Sequence, residues 1–123
     1  MNKAKKDPER EKHIEMEIVV DAYDEVERAL DWYYYLEENL RFPFTARCIA
    51  KRSISPLQVR DEVEVLKMAK EDECAHEMFV VIRRGKKGLA VPLSQLKPGR
   101  NVDSETNQAV EDWHYWIKQG YLF

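Results

Sequence analysis

The stretch MFVVIRRGKKGLAVPL, residues 78–93, decides the fold, because it has the pattern of two strands joined by a tight turn. The segments 78–84 and 89–93 are short and rich in valine, isoleucine and leucine, which favour the pleated strand. Between them, Gly85-Lys86-Lys87-Gly88 is a hairpin signal. Pro92 has no N–H to donate, so the second strand is predicted to end there or to lie at a sheet edge.

Two further apolar segments, 45–51 and 62–68, precede this hairpin. Four or five short strands within about fifty residues are typical of small closed sheets, and they predict an SH3-like barrel. Helical patterns lie on both sides of the strands. The sequence therefore predicts an α+β fold, a small SH3-like β-barrel with flanking N- and C-terminal α-helices.

The N-terminal helix is predicted over residues 22–40, where apolar side chains recur at helical spacing and Asp21 can cap the start. The aromatic run 32–35 circles this helix, so most of it is expected in the core with its hydroxyls hydrogen-bonded. The preceding segment, 13–20, fits both an alternating strand pattern and a four-residue helical step. Its β-branched Ile-Val-Val ending favours a strand.

The C-terminal helix is predicted to begin at Asp103 or Ser104 and to end at Gln119. Gly120 then stops the helix, because glycine readily adopts the left-handed conformation found just after helix ends. Residues 121–123 are expected to fold back onto the core.

The composition indicates one soluble domain. At 123 residues with 44% hydrophobic and 11% aromatic side chains, the chain is long enough for one core and too apolar for a disordered protein. We expect a flexible polar lead-in at 1–12 and a single domain at 13–123. No apolar run approaches the roughly 18 residues that a membrane helix needs. The charged N-terminus and the two cysteines, without a disulfide framework, favour a cytoplasmic protein.

The charges are sorted into blocks. Residues 13–40 carry nine acidic and one basic side chain, whereas 41–60 carry five basic and no acidic ones. The pattern repeats, because 61–77 has seven acidic side chains and 78–100 has six basic and no acidic ones. Such sorting concerns surface potential and partners rather than fold. The blocks either pair with one another across the folded surface or bind an outside partner.

The sequence contains no Gly-rich phosphate loop, nucleophile elbow or paired-histidine zinc helix, so an enzyme is not expected. Two acidic clusters are better candidates for chemistry. Glu37 and Glu38 lie at the end of the predicted helix, where free carbonyls also point outward. The second cluster is the loop 71–73, with Glu77 beyond it. Calcium takes six to eight oxygen ligands, but on the chemistry of these residues alone a solvated charge run is the favoured interpretation.

Several motifs resemble the cyanobacterial-type calcium-binding protein (CcbP) family. The resemblance covers nearly the whole chain after residue 12. It is carried by Asp21-Ala22-Tyr23, by WYYYLEE at 32–38 leading into FPFTA at 42–46, by DEVEV at 61–65, by the loop 71–77, by AVPLSQL at 90–96 and by DWHYW at 112–116.

The resemblance implies a compact, non-EF-hand protein that binds calcium through surface acidic groups and buffers it inside the cell. Carried over by position, the ligands are Glu37 and Glu38 together with Glu71, Asp72 and Glu73. Glu77 completes the predicted calcium set.

The alternative is an SH3-like binding module for nucleic acid or an acidic partner. Arg83, Arg84, Lys86 and Lys87 place four positive charges around the hairpin, and small barrels can bind oligonucleotides through such loops. A further alternative is an adaptor whose opposite charge blocks promote self-association. We expect calcium as the ligand, no membrane contact, and a monomer or weak oligomer, with nucleic acid the less favoured partner.

Overall fold

The structure is a computed structural model that describes residues 5–20 and 22–121. The predicted cap Asp21 and the last two residues of the predicted fold-back segment 121–123 lie outside this range.

The helices of the described residues are α1 (Pro8–His13), α2 (Glu25–Asn39) and α3 (Ser104–Lys118). The strands are β1 (Phe44–Cys48), β2 (Glu62–Met68), β3 (Phe79–Arg84), β4 (Lys87–Pro92) and β5 (Leu96–Pro98). A π-helix, Ile14–Ile18, continues α1, and two 3-10 helices, Glu71–Cys74 and Leu93–Gln95, precede β3 and β5. Among the described residues, no helix is both long enough and apolar enough to span a bilayer.

The five strands form one antiparallel sheet in the spatial order β4-β3-β2-β1-β5. The predicted α+β class is confirmed. The SH3-like barrel is not confirmed, because the sheet is open and β4 and β5 lie at its opposite edges. One physical reason is the shortness of β5, whose three residues include Pro98, which has no N–H for a further strand.

The hairpin forms where the sequence predicts it. Arg84 pairs with Lys87, so Gly85 and Lys86 make a two-residue turn. Gly85 has a φ of 59°, a conformation that glycine adopts without the steric cost other residues carry. Pro92 is the last residue of β4 and lies at the sheet edge, as expected.

The expected strand at 13–20 is wrong, because the chain forms a π-helix there that continues α1. Ile14 and Ile18, four residues apart, are both buried and pack into the core. The four-residue helical step therefore describes this segment, and the alternating strand pattern does not. Asp7 starts the preceding helix by accepting hydrogen bonds from two backbone N–H groups of its first turn, at 3.1 and 3.2 Å.

Both long helices begin at an aspartate cap. Asp24 accepts a hydrogen bond of 2.9 Å from the backbone N–H of Glu27, so α2 starts three residues later than predicted. Asp103 caps α3 in the same way, accepting a hydrogen bond of 2.9 Å from the N–H of Thr106. The predicted stop at Gly120 is consistent with its φ of 76°.

The centre of the core is a tryptophan cluster between α2 and α3. Trp32 is fully buried, and its ring centroid lies 5.1 Å from that of Trp113 and 5.5 Å from that of Trp116. Such edge-to-face and tilted contacts add to the hydrophobic gain of burying the rings. This cluster fixes α2 against α3 and thereby determines which face of α2 is left for solvent.

A buried carboxylate joins α1, α2 and α3. The side chain of Asp112 on α3 is 1% exposed and accepts hydrogen bonds from the Tyr35 hydroxyl at 2.8 Å and His13 Nε2 at 3.0 Å. Its second oxygen lies 3.4 Å from Nε of Arg10. The other nitrogen of His13 faces Glu17 at 2.5 Å. Burial raises the pKa of Asp112, opposed by these partners.

His114 contributes a pH-dependent contact between α3 and β5. Its Nε2 lies 2.8 Å from the carbonyl oxygen of Leu96, to which the neutral imidazole can donate. Burial lowers the pKa of His114, because taking an imidazolium out of water disfavours the charged form.

We expect this histidine to make the folded protein less stable as the pH falls from about 7 to about 5. In the unfolded chain this histidine is protonated at the ordinary histidine pKa. In the folded chain its protonation requires a lower pH. Its stabilisation is therefore fully present above the ordinary pKa and is lost as the pH falls from that value through the lowered pKa of the folded state. His114→Gln keeps a donor for Leu96 but cannot titrate, so its urea midpoint should change less over this range. Equal pH slopes in both proteins would assign the effect to other groups.

Candidate metal centre

Glu37 and Glu38 lie in the last turn of α2, and both side chains are exposed. Neither forms a hydrogen bond or ion pair with another described residue. The last carbonyls of a helix lack intrahelical partners and carry partial negative charge, so carboxylates at this position are electrostatically unfavourable. A cation bound here would relieve that repulsion.

The second acidic cluster, Glu71, Asp72 and Glu73, occupies the 3-10 helix Glu71–Cys74, which we call the acidic turn. All three carboxylates are exposed. Cys74 anchors the acidic turn to the protein interior. It is 1% exposed, and its Sγ accepts a hydrogen bond of 3.3 Å from the N–H of Phe79. The acidic turn is therefore anchored at Cys74, and its three carboxylates face solvent.

Two successive tyrosines tie α2 to the acidic turn. The buried hydroxyl of Tyr33 donates a hydrogen bond of 2.7 Å to the carbonyl oxygen of Ala69, just before the turn. The hydroxyl of Tyr34 donates a hydrogen bond of 2.6 Å to Oε1 of Glu71. These bonds bring together two acidic segments that are more than thirty residues apart in sequence.

The negative charge of the two acidic segments contributes to raising the pKa values of both tyrosines. Burial first, and then the negative charge of Glu37, raises the pKa of Tyr33 to about 12, with Cys74 and Glu71 contributing further. The hydrogen bond to Glu71 raises the pKa of the exposed Tyr34, and the charge of Glu37 adds to it. Glu37 and Glu71 therefore act on the same pair of hydroxyls.

Glu77 has different partners. Its carboxylate forms an ion pair with Arg52 and accepts a hydrogen bond of 3.2 Å from the hydroxyl of Ser94. Arg52 also donates to Ser94 Oγ at 3.2 Å. The structure thus places Glu77 in a network with the loop between β1 and β2, whereas Glu71 is hydrogen-bonded to Tyr34 on the helix that carries Glu37.

As the side chains stand, no three His, Cys, Asp or Glu residues converge on a common point in the described parts of the chain. The chemistry of the donor set nevertheless fits a hard cation, because every candidate atom is an oxygen. Calcium accepts flexible geometry and completes its six to eight ligands with backbone carbonyls and water. The exposed glutamates are free to rotate toward an ion between α2 and the acidic turn.

The basic residues of the hairpin lie where β3 ends and β4 begins. The guanidinium of Arg83 donates from Nε to Glu64 at 2.6 Å, which neutralises part of the charge. Arg84, Lys86 and Lys87 are exposed and form no ion pair with any described residue.

Tyr34 is the residue of this site that sequence reasoning missed. Tyr33 follows the prediction that the aromatic run lies mostly in the core with its hydroxyls hydrogen-bonded. Tyr34 is the exception, because its side chain is 47% exposed and its hydroxyl binds Glu71. A signal was present, since Tyr34 lies one helical turn before Glu37 and Glu38 and outside the apolar stripe of the helix.

Comparisons with known proteins show what this chain is similar to. The model of a calcium-binding family, Calci_bind_CcbP, matches residues 12–117. The crystal structure of Anabaena CcbP is 40% identical, with full coverage of both chains and a TM-score of 0.87. A structure described as a calcium-binding protein in the calcium-binding form is 41% identical over 95% of each chain, with a TM-score of 0.84. No curated protein matches the sequence.

Proposed function

Since this chain belongs to the CcbP family of calcium-binding proteins, we propose that it binds calcium between the end of α2 and the acidic turn and buffers the ion inside the cell. The observation that carries this proposal is the hydrogen bond from Tyr34 to Glu71, which holds the acidic turn beside the helix that bears Glu37. A buffer needs accessible ligands rather than a catalytic group, and the exposed carboxylates supply them.

The proposed ligands come from both clusters: Glu37, Glu38, Glu71, Asp72 and Glu73. Helix-end carbonyls of α2 and water complete the shell, because five carboxylates on flexible side chains rarely all reach one ion. Glu77 is left outside the set, since Arg52 and Ser94 already bind its carboxylate.

Tyr34 has a positioning role in this proposal. Its hydroxyl donates a hydrogen bond to one oxygen of Glu71, and the second oxygen of that carboxylate is available to an ion. A cation that draws Glu71 away from Tyr34 replaces this hydrogen bond with a stronger charge interaction.

The family is one of calcium-binding proteins rather than enzymes, and we propose no catalytic activity. A nucleic-acid module at the hairpin is less well supported, because Glu64 neutralises part of the charge there.

We expect the double variant Glu37→Gln with Glu71→Gln to bind calcium at least about tenfold more weakly, because each substitution removes a charged ligand from one cluster. Isothermal titration calorimetry measures the affinity, and amide shifts on adding calcium locate the site. The matched control, Glu15→Gln with Glu25→Gln, removes the same charge from exposed positions elsewhere. Equal affinity in the two double variants contradicts the proposed ligands, and shifts confined to other segments would relocate the site.

A further inference from the structure

A cationic groove lies on the outer face of the sheet, where β1 and β5 run side by side and α3 begins. Its volume is about 650 Å³, which falls within the range of small-molecule sites. Arg47 and Lys97 are register partners on β1 and β5 and line it together, and Arg100 follows just after β5. Three positive side chains from two neighbouring strands and the following loop thus border one hollow.

Among the described residues, these three cations have no carboxylate partner, whereas four arginines elsewhere do. Arg47, Lys97 and Arg100 are exposed and form no ion pair with any described residue. By contrast, four arginines elsewhere each pair with an aspartate or glutamate: Arg10, Arg41, Arg52 and Arg83. The groove therefore concentrates unneutralised positive charge on a protein whose net charge is −3.

One carboxylate, Glu62, also lines the groove. It is the register partner of Arg47 on the side away from Lys97, yet it forms no ion pair there. Three positive charges against one negative leave the lining with an excess of two positive charges. A ligand with at least two negative charges matches this excess.

Gly99 lines the groove at a point where it lies close to Thr45. The Gly99 N–H donates a hydrogen bond of 2.9 Å to the carbonyl oxygen of Thr45, which draws the two backbones together. A Cβ at Gly99 would come within 2.8 Å of Thr45 Oγ1, closer than such atoms approach. Any other residue here would require the Thr45 side chain to move.

The groove continues into a second hollow of about 390 Å³ between β5 and α3. Lys97 and Pro98 line both. The second hollow has a more apolar wall, which includes Ile49, Val110 and the ring of Tyr115. The combined surface is cationic at one end and partly apolar at the other.

We propose that this groove binds a small organic phosphate, with its phosphate chain at Arg47, Lys97 and Arg100 and its organic part against Ile49 and Tyr115. Guanidinium groups donate paired, charge-assisted hydrogen bonds to phosphate oxygens, so two arginines and a lysine suit a chain of at least two phosphates. This site is separate from the proposed calcium ligands, and it stands whether or not they are correct.

Amide NMR titration of the full chain without calcium tests the proposal, with inorganic pyrophosphate and adenosine diphosphate as probes. Both should shift amides of β1, β5 and residues 99–100, and the nucleotide should bind more tightly because only it reaches Ile49. In Arg47→Gln with Arg100→Gln, affinity should fall at least about tenfold. The control, Arg84→Gln with Lys86→Gln, removes the same charge from the hairpin and should leave affinity within about twofold.

Other outcomes overturn the proposal. Absence of shifts in the groove at millimolar probe, or equal losses in the two double variants, would show that no specific phosphate site exists. Equal affinity for pyrophosphate and the nucleotide would remove the organic part of the inference. Binding of a short RNA without binding of either small probe would identify a nucleic-acid surface instead. Unchanged amide positions outside the groove show that the variants remain folded.

Discussion

Trp32→Ala is expected to lower the free energy of unfolding by about 3–5 kcal/mol. The Trp32 side chain is fully buried and contacts Trp113, Trp116 and Tyr35 with ring centroids 5.1, 5.5 and 5.9 Å away. Alanine would leave a cavity between α2 and α3 that the rigid neighbouring rings cannot fill. Guanidinium denaturation followed by far-UV circular dichroism measures the change.

Val26→Ala is the matched control, because Val26 lies on the same helix but is 67% exposed. It should change the free energy of unfolding by no more than about 0.5 kcal/mol. If Trp32→Ala fails to fold, Trp32→Phe keeps an aromatic ring in the core and should lose less. A loss below about 1 kcal/mol for Trp32→Ala would contradict the packing described for the cluster.

Asp112→Ala is the second substitution with a large expected effect, again about 3–5 kcal/mol. Removing this buried carboxylate leaves the Tyr35 hydroxyl without its acceptor and takes a partner from both His13 and Arg10. The cost comes mainly from the loss of the one buried acceptor that these groups share, because the carboxylates that His13 and Arg10 keep, Glu17 and Glu111, are exposed. Thermal unfolding measures the loss, and amide exchange over residues 8–18 shows whether α1 and the π-helix loosen.

Glu111→Ala is the control for this prediction. Glu111 is the neighbouring acid on α3 and also pairs with Arg10 at 3.4 Å, but its side chain is 63% exposed. Water replaces such a partner readily, so the expected cost is below about 1 kcal/mol. Comparable losses for Asp112→Ala and Glu111→Ala would show that burial does not determine the value of this ion-pair network.

The parts of the fold that the sequence predicts are those determined by local chemistry. The hairpin at 85–88 needs only glycine and two adjacent strand segments, and the cap at Asp103 needs one side chain beside one helix start. The segment 13–20 was mispredicted because its apolar residues satisfy two periodicities at once. Packing of Ile14 and Ile18 against the core decided between them, and that contact is not local in sequence.

The candidate site also has parts that the sequence predicts and parts that depend on contacts distant in sequence. Both acidic clusters are visible in the sequence, because runs of carboxylates need no fold to be recognised. Their proximity is not visible, since it depends on Tyr33 and Tyr34 reaching a segment that lies beyond two strands. The pairing of Glu77 with Arg52 is equally hidden, because the two residues are 25 positions apart and only the folded loop between β1 and β2 brings them together.

The buried thiol beneath the acidic turn makes the protein well suited to site-directed labelling. Only the thiolate attacks electrophiles, and burial raises the pKa of Cys74 to about 11. Cys48 is likewise 1% exposed, so maleimides should react slowly with both native cysteines. A cysteine introduced at exposed His76, just after the acidic turn, would then take up a fluorophore selectively, and an optical reporter could be placed beside the proposed calcium ligands without first removing the native thiols.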